Sequence, residues 1–305
     1  MRSCSSRLIV QLVLSVFVLY LSACGDNAAS SNSSGSTAEH LYATTATGQI
    51  LQFLLPLTSA STPSVTVLSN GSPIPVGVAV DSNGNLAVTE LGGNLAIYHP
   101  PLTSSSTPAA IFPNGTFPSV GSIGFDTTGN LFAVGFTPGV SEGVNIFSPP
   151  FSSASTPSKA LSISGLSVGG LDSSGNLYLD TGSGFGPCGI AVLAQPYTGT
   201  PTTLVSRTCI DGMFGQIVVA DNLLFARLQA PPGSIDVFPL PGSTATAGGI
   251  FIDASAFTAD SNGNLYVANP SLNDIEVFAP SLSISSVPTV SVANVSGVNA
   301  MAVGK

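Results

Sequence analysis

Asp81-Ser82-Asn83-Gly84-Asn85-Leu86 returns along the chain as Asp126-Thr127-Thr128-Gly129-Asn130-Leu131, as Asp172-Ser173-Ser174-Gly175-Asn176-Leu177 and as Asp260-Ser261-Asn262-Gly263-Asn264-Leu265. A worn copy stands at Ala220-Asp221-Asn222-Leu223. The phrase suits a hairpin turn, because Asp bonds its own backbone and Gly takes the left-handed position at no steric cost. With the Leu as marker, copies begin at Leu41, Leu86, Leu131, Leu177, Leu223 and Leu265, at steps of 45, 45, 46, 46 and 42 residues. A fixed period of this size marks a repeat architecture in which each unit buries its apolar face against the next.

Each copy carries four strand signals. The first follows the marker, as in Leu41-Tyr42-Ala43-Thr44, Leu131-Phe132-Ala133-Val134 and Leu265-Tyr266-Val267. The second has the form Ile-x-Val-Phe, as in Ile235-Asp236-Val237-Phe238 and Ile275-Glu276-Val277-Phe278. A Pro-Ser-Thr loop then stops the strand, since Pro has no N–H for the ladder. The third is Val-rich (Ser64 to Leu68), and the fourth (Val76-Gly77-Val78-Ala79-Val80) runs into the next turn. No segment sustains a helical period, so almost no helix is expected. Four short strands per copy and six copies predict an all-β chain, a six-bladed β-propeller with four-stranded blades. The repeats begin on a post-marker strand at His40-Leu41-Tyr42 and end on Val298 to Val303, which reads as a pre-marker strand. The C-terminal strand is therefore expected to become the innermost strand of the blade whose other three strands are N-terminal, pairing edges that would otherwise stay open.

The phrase Val78-Ala79-Val80-Asp81-Ser82-Asn83-Gly84-Asn85-Leu86, with the Ile-x-Val-Phe strand behind it, resembles NHL-repeat propellers over residues 40–305. That resemblance implies architecture and little about function, because the fold serves scaffolds, binders, lactonases and lyases alike.

Residues 1–23 read as a signal peptide. Arg2 and Arg7 form a positive start, and Leu8 to Leu21 is apolar apart from Gln11 and Ser15. The stretch is short for a membrane span. Leu21-Ser22-Ala23-Cys24 resembles the bacterial lipobox, which implies acylation of Cys24 and a membrane partner reached through that anchor. Acyl chains gain about 0.8 kcal/mol per buried methylene, and two or three chains hold where one does not. Residues 24–38 comprise this Cys and a Ser/Asn/Gly-rich flexible tether, and residues 39–305 are the propeller. The expected address is the bacterial cell envelope.

Charged residues make up only 7% of the chain. Six Lys+Arg cannot line a phosphate-tracking surface, which excludes nucleic acid as a partner. Once the signal is removed, Lys159, Arg207, Arg227 and Lys305 face 15 acids, a net charge of −11. Such a body is not drawn flat onto anionic lipid. Cys188 precedes the second strand of the fourth copy and Cys209 ends its third. Antiparallel neighbours place those points side by side, so a disulfide is expected, and an exported compartment permits it. It closes a loop of about 20 residues, worth about 3 kcal/mol in the chain-entropy account. Two thiols without a nearby His make no metal site.

The chemistry-bearing motifs do not assemble a catalytic set. Gly165-Leu166-Ser167-Val168-Gly169 matches Gly-x-Ser-x-Gly, but it lies before an innermost strand where a strand–turn–helix is required. His99 follows a second strand at a position held elsewhere by Leu54, Ser148, Ala194, Pro239 and Ala279, and His40 is expected to be solvated. The Asp turns put Leu where a calcium loop needs Gly, which favours a structural hairpin. The leading expectation is a non-catalytic binding or scaffold module for an unknown protein or small-molecule ligand, without a cofactor. Its candidate face is formed by Glu90, Asp180, Arg227, Asn269 and Asn299. The alternative is a metal-dependent lactonase or hydrolase resembling gluconolactonase, in which Glu90, Asp180, Asn269 and Asn299 surround a divalent cation. Arg227 opposes that arrangement by repulsion.

Overall fold

The computed structural model describes residues 38–69, 74–112, 120–137, 140–163, 169–172, 174–180, 187–208, 214–220, 222–228, 233–240 and 248–305. Among them the chain forms β1 (His40–Thr45), β2 (Gln49–Leu54) and β3 (Val65–Leu68), which belong to the first blade. The second blade is β4 (Pro75–Val80), β5 (Leu86–Glu90), β6 (Leu95–Tyr98) and β7 (Ala110–Phe112). The third is β8 (Val120–Phe125), β9 (Leu131–Thr137), β10 (Val140–Phe147) and β11 (Lys159–Ser162). The fourth is β12 (Gly169–Leu171), β13 (Leu177–Asp180), β14 (Pro187–Leu193) and β15 (Thr202–Thr208). The fifth is β16 (Phe214–Ala220), β17 (Leu223–Leu228), β18 (Ser234–Pro239) and β19 (Gly248–Phe251). The sixth is β20 (Ala256–Ala259), β21 (Leu265–Asn269), β22 (Asp274–Phe278) and β23 (Val290–Ala293). β24 (Val298–Gly304) completes the first blade in the order β24-β1-β2-β3. All pairings are antiparallel, and no helix occurs among the described residues.

The expected closure is present. β24 pairs with β1 in the register Tyr42↔Ala302, Ala43↔Met301 and Thr44↔Ala300. The inner strands pack in one unbroken circuit, β24 on β4, then β8, β12, β16 and β20, and β20 back on β24. The chain is a six-bladed β-propeller.

The apolar pattern follows from blade stacking. A central strand is covered on both faces, so alternation gives way to continuous burial. Leu86 and Val88 face the first blade while Ala87 between them faces the third. Six apolar clusters result, one at each junction, and the one holding Leu41, Phe53 and Met301 with Tyr266 and Ile275 joins the sixth blade to the first. Each junction also receives one apolar residue from the loop between the two outermost strands of the following blade: Leu57, Leu102, Phe151, Tyr197, Leu240 and Leu282. Four of these loops share one turn. The backbone N–H groups of Thr58, Thr103, Ser152 and Ser283 donate to the hydroxyls of Ser61, Ser106, Ser155 and Ser286 at 2.8–2.9 Å. The turn aims the residue just before it, Leu or Phe, into the junction.

The repeated Asp turn is built as the sequence predicts. Asp81 Oδ1 accepts the N–H groups of Asn83 and Asn85 at 2.8 Å, and its Oδ2 accepts Asn85 Nδ2 at 2.7 Å. Asp126, Asp172 and Asp260 repeat the pattern. Gly84, Gly129, Gly175 and Gly263 take φ of +76° to +81°, where a side chain is strained.

Candidate functional site

The six inner strands surround a central cavity of about 350 Å³. Its walls are small or apolar side chains and backbone, including Val76, Val78, Gly169, Ala300 and Met301. Gly170 shows why small residues are needed there, because a Cβ would stand 2.9 Å from the Ile217 carbonyl oxygen.

The polar lining is Ser122, Gln216, Arg227, Ser255, Thr258 and Asn299. Three of these bind one blade to the next. Asn299 Nδ2 donates to the Pro75 carbonyl at 3.0 Å, joining the first blade to the second. Ser122 Oγ accepts the Gly169 N–H at 2.8 Å and donates to the Gly169 carbonyl at 3.2 Å, joining the third to the fourth. The Gln216 amide donates to the Phe257 carbonyl at 2.7 Å and accepts the Phe257 N–H at 3.2 Å, joining the fifth to the sixth. Alternate junctions are thus tied at the channel wall by a side chain reaching a neighbouring backbone.

Among the described residues Arg227 is the one charged side chain in the lining. It stands on β17 opposite Gln216. Its Nη1 donates to the carbonyls of Ala254 and Ser255, while its Nε is buried without a partner. Burial pulls its pKa down, and the charge of Asp253 partly offsets this.

The other candidate residues sit at the same strand ends but do not line the cavity. Glu90 is buried at the end of β5, where its Oε2 accepts Asn94 Nδ2 at 3.3 Å. Asp180 is fully buried at the end of β13. Asn269 caps the loop after β21: its Oδ1 accepts the N–H groups of Ser271 and Leu272, and its Nδ2 donates to Glu276 Oε2 at 3.1 Å. No group of three or more His, Cys, Asp or Glu side chains suited to a metal occurs among the described residues. Cys209 and Gly165 to Val168 lie outside the described residues, as does the Cys188 side chain. The register pairs Cys188 with Arg207, two residues before Cys209. Cys24 also lies outside.

One expectation is corrected. His40 is not solvated: it is half-buried, its Nδ1 is buried without a partner, and burial lowers its pKa. Its ring lies 6.0 Å from that of Tyr42, and its backbone pairs with Gly304 in the closing strand pair. His99 is exposed, with Nδ1 2.7 Å from Asn85 Oδ1.

Gln216 is a lining residue that the sequence reading omits. It occupies the strand position of Ser255 and Asn299, but the fifth copy has a shorter turn (Ala220 pairs directly with Leu223), so counting back from the marker Leu misaligns it. Counting five residues back from the Asp of the turn recovers it, since Asp221 leads to Gln216 as Asp260 leads to Ser255.

No family model matches the chain, and no curated protein matches it. Solved structures do. A match to the WD40 repeats of RRP9 covers 86% of this chain and 80% of that one, at TM-score 0.58 and 11% identity. A match to a protein from Lactobacillus plantarum covers 88% of this chain and 100% of that one, at 0.54 and 12%. The β-propeller domain of Cps50 (Swd1) from Myceliophteria thermophila is matched over 83% of this chain and 82% of that one, at 0.55 and 8%. At these identities the likeness establishes the propeller fold alone.

Proposed function

We propose that this chain is an exported, lipid-anchored propeller acting as a non-catalytic binding or scaffold module of the bacterial cell envelope, of NHL-repeat type. The observation that carries this reading is the use to which the channel's polar side chains are put. Ser122, Gln216 and Asn299 are committed to blade-to-blade backbone bonds. Among the described residues the sole charged lining group is a cation, whereas hydrolysis through a divalent cation calls for converging carboxylates. Glu90 and Asn269 are held in their own blades and Asp180 is fully buried, so the lactonase reading has no geometric support.

The face formed by the loops after β5 and β21 exposes Leu91 and Leu272. A photo-crosslinking residue at either position is expected to give a discrete protein adduct in cells, and one at Ile284, exposed on the opposite face, is not. Equal labelling from both faces contradicts the module. Lactone turnover that needs a divalent cation and is lost in Glu90→Gln establishes the alternative instead. Cys24→Ser is expected to release the protein from membranes, and retention contradicts the lipobox. Mass analysis without reductant is expected to show Cys188 bonded to Cys209, and thiol labelling of both excludes it.

A further inference from the structure

We infer that the central channel is a binding site for a small organic monocarboxylate, its carboxylate held by Arg227. The inference rests on the binding-module reading and names a ligand class for it. A guanidinium removed from bulk water needs a counter-charge or a full set of acceptors. Arg227 has neither. Its bonds to protein all run through Nη1, to two backbone carbonyls, and its Nε is buried with no acceptor. Asp253 lies near enough to act on its charge, but that carboxylate is exposed and its Oδ2 accepts the Ser271 hydroxyl at 3.1 Å. Arg227 lines the channel, and among the described residues its Nη2 donates to no protein acceptor, which leaves a charged donor for a carboxylate there.

The channel sets the rest of the ligand. Its volume of about 350 Å³ lies at the small end of ligand sites. One cation matches one negative charge. A phosphate dianion would bring uncompensated charge into a protein whose net charge is already −9 over the whole chain. Beyond Arg227, Ser255 gives modest polarity near the charge, and Val76, Ala300 and Met301 offer an apolar wall for a short hydrocarbon tail.

The test uses the full chain purified in detergent and titrated calorimetrically with propionate, butyrate and benzoate, with butyramide and inorganic phosphate as controls. At least one monocarboxylate is expected to bind one-to-one, with butyramide and phosphate at least about tenfold weaker. Arg227→Gln is expected to lose about tenfold or more in affinity for the carboxylate, with unchanged circular dichroism. Asp253→Asn, which leaves the guanidinium in place, is expected to bind it about threefold more tightly and keeps the proposal testable if the Gln variant does not fold. No carboxylate binding to the unaltered chain, equal binding by Arg227→Gln, unaltered affinity in Asp253→Asn, or phosphate or amide binding as tight as carboxylate each overturns the proposal. These results leave the crosslinking test of the loop face untouched, so the two readings fail separately.

Discussion

Asp260 receives four hydrogen bonds on one carboxylate: two from the backbone of Asn262 and Asn264, one from Asn264 Nδ2 and one from the buried Tyr266 hydroxyl at 2.9 Å. Asp81 receives only the first three, because Ala87 stands where Tyr266 does. Asp81→Ala is expected to cost about 1.5–3 kcal/mol, and Asp260→Ala about 1 kcal/mol more, since it also leaves a buried hydroxyl unpaired. Urea unfolding of both variants checks the difference, and Tyr266→Phe placed in the Asp260→Ala background is expected to recover the extra loss. A second residue-scale effect is alkaline. Burial, then the charge of Glu90, pushes the Tyr98 phenol from 10.0 up to about 12, and its hydroxyl has no partner. The unfolded chain loses this proton near pH 10 and the folded chain holds it, so the Tyr98 contribution to stability is constant below pH 10 and is lost as pH rises from there toward about 12. Unfolding midpoints across that window are expected to fall, and less steeply in Tyr98→Phe. Tyr178 and Tyr266, raised further by burial and by Asp172 and Asp260, retain the remaining slope in that variant.

At the scale of the element, the junction between blades is the unit of stability. Leu102 reaches from its loop into the cluster of Tyr42, Val78 and Tyr98, and Leu102→Ala is expected to cost about 2–4 kcal/mol in chemical denaturation through the cavity it leaves. Gly170→Ala acts from the channel side, where the added Cβ meets the Ile217 carbonyl at 2.9 Å, and about 1–3 kcal/mol is expected from that overpacking. The strands and Asp turns behind these junctions were legible, because a turn that needs Asp at one place and a left-handed Gly three residues later leaves a local signature. The junction pins were less so. Pro56-Leu57-Thr58 and Pro101-Leu102-Thr103 look like ordinary loop sequence, and only the fold shows that the Leu is a core residue. The channel ties were not legible at all. Asn299 and Gln216 bond to backbone atoms 224 and 41 residues away, and a backbone carbonyl carries no sequence mark. For the same reason Glu90 and Asn269, adjacent to the channel by repeat position, turn out to be occupied within their own blades.

At the scale of the whole molecule, stability depends on a seam between the two ends of the repeat array. β24 joins β1, β20 and β4, and the sixth and first blades share one apolar cluster. Pairings this distant in sequence come at high loop-closure cost and form late, so the seam is where an incomplete ring would show itself. Hydrogen exchange of the native protein tests this most directly. A closed ring predicts that peptides covering residues 40–45 and 298–304 are as protected as those covering 265–269 in the sixth blade, and exchange only with global unfolding. Rapid exchange in residues 298–304, with the other blades still protected, would contradict the closed six-bladed ring and the channel built on it.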